Sequence, residues 1–228
     1  MGLDLIPAKI LRRFQIEERR HACAILAHDF PNEFADLLGC LQRFKLVRSE
    51  VAVGGGGKTK IAARFDDYLR HKRGWMPRNT SIAMKLTTKQ GEDVEVTERN
   101  LDTHEVDLCK GKIAVEVQWN NKDPFFSRDL NTFRLLHELG SISVGIIVTR
   151  CDELQELFGT LGWVKDKKDG WQKVASKYGA STTHWGKLMP RVDAGGGGSC
   201  PLLLVGIRRA CYFDDMPNTP LVLAKPME

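Results

Sequence analysis

Asp107, Glu116 and Gln118 are the residues of this chain whose types and spacing most directly suggest chemistry. They lie in Val106–Asn121, VDLCKGKIAVEVQWNN, where Glu116 and Gln118 alternate with Val115, Val117 and Trp119. A period of two belongs to a strand, so Glu116 and Gln118 share one face while Val115, Val117 and Trp119 point into a core. A two-residue turn at Lys110-Gly111 sets Cys109 against Lys112, Leu108 against Ile113 and Asp107 against Ala114, leaving Asp107 diagonal to Glu116. Diagonal neighbours lie roughly 7–8 Å apart, close enough for two carboxylates to converge on one ion. Such a pair suits a hard cation, because magnesium keeps waters and substrate phosphate as ligands beside one or two carboxylates. Held between Asp107, Glu116 and a phosphodiester, it would activate water and stabilise charge at phosphorus. The plainer reading makes Asp107 a turn-closing residue and Glu116 a solvent-facing residue on a half-exposed strand.

A second stretch competes for the chemistry. Ala52–Thr59, AVGGGGKT, fits a relaxed phosphate-loop pattern, with Ala52 for the first glycine and then Gly57, Lys58 and Thr59. Backbone N–H groups and a following helix N-terminus would cradle nucleotide phosphates there, provided that KLVRSEVAV is a strand and the chain from Thr59 a helix. Four consecutive glycines more commonly form a mobile surface loop. No apolar strand ending in a metal-binding aspartate follows, so no nucleotide cofactor is expected.

The elements that must position Asp107 and Glu116 follow from periodicity. Ile10 to Leu26 reads as a partly exposed helix, a second helix starts near Pro31, and a third runs from Thr59 to Arg73 with Ile61, Phe65 and Leu69 on one stripe. Ser81–Leu86 and Asp93–Thr97 flank a hairpin turn at Lys89-Gln90-Gly91. Pro124 opens a helix whose residues Phe126, Leu130, Phe133, Leu136 and Leu139 recur at helical spacing, with Gly140 as its stop. SVGIIVT then reads as a strand buried on both faces, and strand, helix, strand in that order implies a crossover within a mixed sheet. Short helices are expected over Cys151–Phe158 and Gly170–Tyr178. Trp163–Lys173 reads as a surface insertion, and VDAGGGGS, residues 192–199, as a flexible loop before the strand PLLLVGI. The fold class is α/β: residues 1–75 are mainly helical, residues 76–228 carry the catalytic sheet and recognition loops, and the whole is expected to be one domain.

The bulk numbers are permissive. With 228 residues, 42% hydrophobic and 28% charged, the chain has the composition of a globular protein and can bury a sizeable core. No apolar run is long enough for a membrane span, and the N-terminal MGLDLIPAKILRR is too charged for a secretory signal, so a cytoplasmic protein is expected. The six cysteines have no metal-site spacing and are expected to be reduced and partly buried. A net charge of +5 permits an anionic partner without demanding one.

Asp107, eight intervening residues, then Glu116-Val117-Gln118 resembles the PD-(D/E)XK nuclease motif. More narrowly, VEVQWNN followed by PFF resembles the BglII/BstYI group of type II restriction endonucleases. GWMPRN and PLLLVGI resemble segments of that group before the catalytic strands and near the C-terminus. The resemblance implies a restriction-endonuclease-like core, with a mixed sheet flanked by helices, and Mg2+-dependent cleavage of palindromic duplex DNA by a homodimer, with GATC-centred targets. It implies that Asp107 and Glu116 are metal ligands. Gln118 stands where the wider superfamily has lysine; it has no charge to supply and would orient the attacking water. The resemblance places Asn120, Asn121 and Lys122 near the DNA, with Ser181, Thr182, Thr183 and His184 as a hydroxyl-rich recognition loop. Lys58, with its basic neighbours, is a candidate phosphate contact. Other readings are a structure-specific repair or recombination nuclease, a DNA-binding protein with an inactive nuclease core, and the nucleotide-binding protein of the glycine loop.

Overall fold

The computed structural model describes residues 2–53, 59–165 and 170–226. After a short 3-10 turn, α1 (Ala8–Leu11), β1 (Phe14–Arg19), α2 (Ala22–Asp29) and α3 (Pro31–Arg43) lead into β2 (Leu46–Val47), α4 (Arg48–Val51) and α5 (Lys60–Arg73). The middle of the chain holds β3 (Met76–Arg78), β4 (Ser81–Gln90), β5 (Asp93–Asp102), β6 (Val106–Lys110), β7 (Ile113–Gln118), α6 (Phe125–Glu138) and β8 (Val144–Arg150). The last part contributes α7 (Leu154–Thr160), β9 (Trp163–Lys165), β10 (Trp171–Lys173), α8 (Val174–Lys177), α9 (Trp185–Asp193), β11 (Leu202–Ile207) and β12 (Tyr212–Phe213).

The central sheet is mixed and six-stranded, in the order β1-β11-β8-β7-β6-β3. β7, β8 and β11 run parallel to one another, while β1, β6 and β3 pair antiparallel with their neighbours. With the helices on its two faces, this is an α/β architecture with a mixed central sheet, as the sequence predicts.

Alternation along the strands builds two cores. On one face Leu108, Val115, Val117, Ile146, Val148, Leu203 and Val205 pack with Leu37, Phe65 and Phe158 of α3, α5 and α7. On the other, Ala114, Ile147, Leu202 and Leu204 meet Phe126, Leu130, Phe133 and Leu136 of α6 and Trp185 and Leu188 of α9. The second layer sits close because β8 has glycine at the contact. A Cβ on Gly145 would lie 2.3 Å from the Phe133 ring. Glu116 and Gln118 point into this second layer.

Several sequence expectations are met. Pro31 opens α3, Thr59 caps α5 by accepting the Ala62 N–H, and α6, β8 and β11 lie where the pattern puts them. All six cysteines are free and buried. Among the described residues, no helix is long and apolar enough to cross a membrane.

Other expectations need correction. The single helix read over 10–26 is α1, β1 and α2, because Phe14 and Ile16 alternate with Gln15 and Glu17 and the strand zips antiparallel onto β11. KLVRSEVAV is only a two-residue strand followed by α4, so it does not supply the strand that a phosphate loop needs, and Gly57 and Lys58 lie outside the described residues. Residues 192–199 are not a loose loop: Val192 is buried at the end of α9, and the glycines after it form turns packed against Leu130, Arg134 and Leu202. The β4–β5 hairpin turns at Gly91-Glu92 and is longer than expected, ten residues on each side.

Candidate active site

The β6–β7 hairpin carries the acidic pair. Its turn is Gly111-Lys112 rather than Lys110-Gly111: Lys110 pairs with Ile113, Cys109 with Ala114 and Leu108 with Val115. Gly111 sets this register by taking φ +53 at the first central position, where a primed hairpin turn needs positive φ. The two-residue shift from the expected register preserves the face of every side chain and brings Asp107, one step beyond the last ladder pair, beside Glu116 instead of diagonal to it. There the ladder gives way to a side chain, because Asp107 Oδ2 accepts the Val117 N–H at 3.0 Å. Against β3, the pairing slips from Met76–Cys109 to Arg78–Val106, a bulge that interrupts β6 beside Asp107. Bulges of this kind re-aim side chains next to active sites.

Glu116 and Gln118 are both about 1% exposed. They are buried under α6, and α6 answers with a carboxylate. Asp129 is fully buried, and its Oδ2 accepts from Gln118 Nε2 while Oδ1 accepts from Arg128 Nε and Nη2 at 3.0 and 2.9 Å. Asn121 Nδ2 donates to Gln118 Oε1 at 2.6 Å, so the amide of Gln118 is held at both ends. His104, just before β6, places Nε2 2.9 Å from Glu116 Oε1 and 3.1 Å from Asp129 Oδ1. Its Nδ1 lies 3.0 Å from Thr132 Oγ1.

These neighbours change what the groups hold. Burial, together with Asp129 and Asp107 close by, pushes the Glu116 carboxyl up to about 8 despite its bond to His104. Burial pulls the His104 imidazole down, but its bonds to Asp129 and Glu116 outweigh that and carry it up to about 9. Near neutral pH the cluster therefore retains protons that a free histidine and a free glutamate would release. Three acidic side chains converge here, and with the His104 imidazole they offer oxygen and nitrogen donors that could hold a divalent cation.

The sequence-predicted DNA residues gather beside this cluster. Lys122 bridges Thr182, the Asp123 N–H reaches the Ser181 carbonyl, and the Thr183 N–H reaches the Asn121 carbonyl at 2.8 Å. Thr183 is fully buried, its hydroxyl donating to the Gln118 carbonyl and accepting from the Asn121 N–H. Lys122 and Ser181 are exposed, and Asn120 takes a left-handed φ of +61 directly after Trp119. His184 bonds Asp152 on the far side of the loop. Arg150 anchors this loop to β8 by donating to the Tyr178 carbonyl and to Thr182 Oγ1, both at 2.9 Å.

Sequence reasoning missed His104 and Asp129. Asp129 had a signal: it stands three residues after Phe126 and four before Phe133, a carboxylate within the apolar stripe of α6. His104 had none, since only the fold returns it to Glu116.

A mixed sheet whose antiparallel hairpin continues into a parallel pair under a crossover helix is consistent with the restriction-endonuclease-like class of fold. The family model described as "Restriction endonuclease BglII/BglIII" matches residues 14–207, from the first residue of β1 to the last of β11. The chain belongs to that family and is a type II site-specific deoxyribonuclease. No curated protein matches it.

Proposed function

We propose that the chain, acting as one domain, cuts both strands of a palindromic duplex DNA site by Mg2+-dependent hydrolysis and leaves 5′-phosphates. One observation carries this reading: Asp107 and Glu116 sit side by side on β6 and β7, with Gln118 two residues on along the same face. Asp107 uses one oxygen to hold the Val117 N–H, and Asp107 and Glu116 are the residues that would hold the cation. When bound, the metal supplies charge stabilisation at the phosphorus and the leaving oxygen.

The chain's own residues supply the rest. Gln118 orients the attacking water by hydrogen bonding, and Asp129 and Asn121 keep its amide from turning. Asn120 and Asn121 reach base edges, where an asparagine amide can pair with adenine. Lys122, Ser181 and Thr182 approach from the bridged strip, and Lys58 is a further candidate phosphate contact. Thr183, with its hydroxyl already committed, holds Asn121 and Gln118 in register, and His184 closes the strip against Asp152. A homodimer places one such centre on each strand of a two-fold site, for which a GATC-centred sequence is the working target.

The test is digestion of long unmethylated duplex DNA by wild type and Glu116→Ala, with Mg2+ and with EDTA. Discrete fragments that need Mg2+ and vanish in the variant support the reading, and sequencing their ends gives the site and the stagger. DNA binding without cleavage by the wild type would mean an inactive nuclease core.

A further inference from the structure

Glu116 is shared between two sets of donors. Toward β6 it meets Asp107; toward α6 it meets His104 and Asp129. One ligand atom from each of His104, Glu116 and Asp129 lies within 4.8 Å of the others. The imidazole is arranged as a ligand: Nε2 faces both carboxylates at 2.9 and 3.1 Å, while Nδ1 sits 3.0 Å from the Thr132 hydroxyl. A histidine can offer Nε2 to a metal when its other nitrogen keeps the proton, and a partner for Nδ1–H fixes that tautomer. Thr132 and Asp129 are three residues apart on α6, so one helix face supplies both a ligand and the group that orients the histidine.

Charge favours an occupant. Asp129 is fully buried and Glu116 nearly so, and two carboxylates out of water beside a third are costly without a compensating cation. Arg128 answers part of that charge from the Oδ1 side of Asp129, and Gln118 binds Oδ2. His104 Nε2 stands between Glu116 and Asp129, 2.9 and 3.1 Å from their oxygens. Magnesium prefers oxygen ligands, whereas a donor set that includes an imidazole nitrogen favours first-row transition metals over magnesium.

We propose that His104, Glu116 and Asp129 form a second divalent-cation site of mixed nitrogen and oxygen character. It takes Mn2+ or Co2+ in preference to Mg2+ and shares Glu116 with the Asp107 side. This rests on the reading of Glu116 as part of the catalytic centre. Thr132 acts as a positioning residue for the His104 ring.

The test needs neither DNA nor cleavage. The wild-type protein is titrated with Mn2+, the bound ion is counted from the loss of the free-ion electron paramagnetic resonance signal, and pulsed spectra of the bound ion are examined for nitrogen coupling. The expected result is coupling to one imidazole nitrogen that disappears in His104→Gln, and binding weakened about tenfold or more in Thr132→Val, in line with losses seen when the partner of a metal-bound histidine is removed. The spectrum is read on the wild type, so a variant that fails to fold cannot hide the answer. Mn2+ that depends on Glu116 but shows no nitrogen coupling overturns this site and leaves the Asp107–Glu116 reading standing. Mn2+ binding untouched by Glu116→Ala overturns both. No Mn2+ binding at millimolar concentration also overturns this site.

Discussion

The two faces of β7 are equally buried and chemically opposite. Val115 and Val117 enter a hydrophobic core between the sheet and α3, α5 and α7, while Glu116 and Gln118, on alternate positions, enter a layer where α6 supplies Asp129. Burial on the first side lowers free energy; on the second it raises it, since each carboxylate loses hydration that hydrogen bonds only partly replace. One face therefore holds the strand in place, and the other uses that rigidity to keep unfavourable groups together. Mutation can separate the two contributions.

The largest effect is expected at Glu116. Glu116→Gln keeps the shape and removes the carboxylate that the cation would bind, and losing several kcal/mol of charge stabilisation corresponds to a cleavage rate lower by about 10³-fold or more. Thermal unfolding should show the variant at least as stable as wild type, because a buried carboxyl has become a neutral amide. Retained cleavage would remove Glu116 from the chemistry. Lowered stability would mean that the carboxylate is structural.

One residue away the pattern should invert. Val115→Ala deletes fully buried apolar surface and should cost about 1.5–3 kcal/mol in urea denaturation. The folded fraction should cut DNA at close to the wild-type rate, since Val115 faces the opposite side of β7 from Glu116 and Gln118. A large fall in rate at full folding would show that the two faces are coupled through the strand.

A smaller effect separates the faces by pH. Both His104, raised to about 9, and Glu116, raised to about 8, bind protons more tightly in the folded chain than in the unfolded one. The folded state therefore binds more protons, so the stability they contribute is complete only below the unfolded values and is lost as pH rises through 8 to 9. The metal-free protein, scanned in EDTA from pH 6.5 to 9, should melt at progressively lower temperature. Glu116→Gln should show a shallower slope and Val115→Ala the wild-type slope. Identical slopes in all three would mean that the cluster does not hold those protons.

How much of this was legible depends on whether a feature is local. The alternation in VEVQW gave the division of faces and survived a two-residue error in the turn, because an even shift preserves the face. Helix α6 was readable from its apolar repeat, and Asp129 stood inside that repeat unremarked. Strand β1 was misread because charged residues on an edge strand resemble the polar side of a helix until β11 is there to pair with. His104 and the bridge between Lys122 and Thr182 join segments distant in the chain, and no local period encodes such contacts.

The smallest effect tests the rim of the polar face. Lys122 is exposed, and its backbone bridge to Thr182 survives truncation of the side chain. If its ammonium meets a phosphate, Lys122→Ala should weaken DNA binding several-fold, equally for all sequences, and lower the slope of log affinity against log salt by about one. Asn121→Ala should behave differently: its amide fixes Gln118 and is proposed to read a base, so specificity should relax and cleavage slow while the salt slope stays put. Titrations at several salt concentrations, on the cognate site and on random duplex, give both quantities. A sequence-dependent loss at Lys122 would exchange the two roles, making the lysine the reader and leaving Asn121 as a support for the catalytic strand.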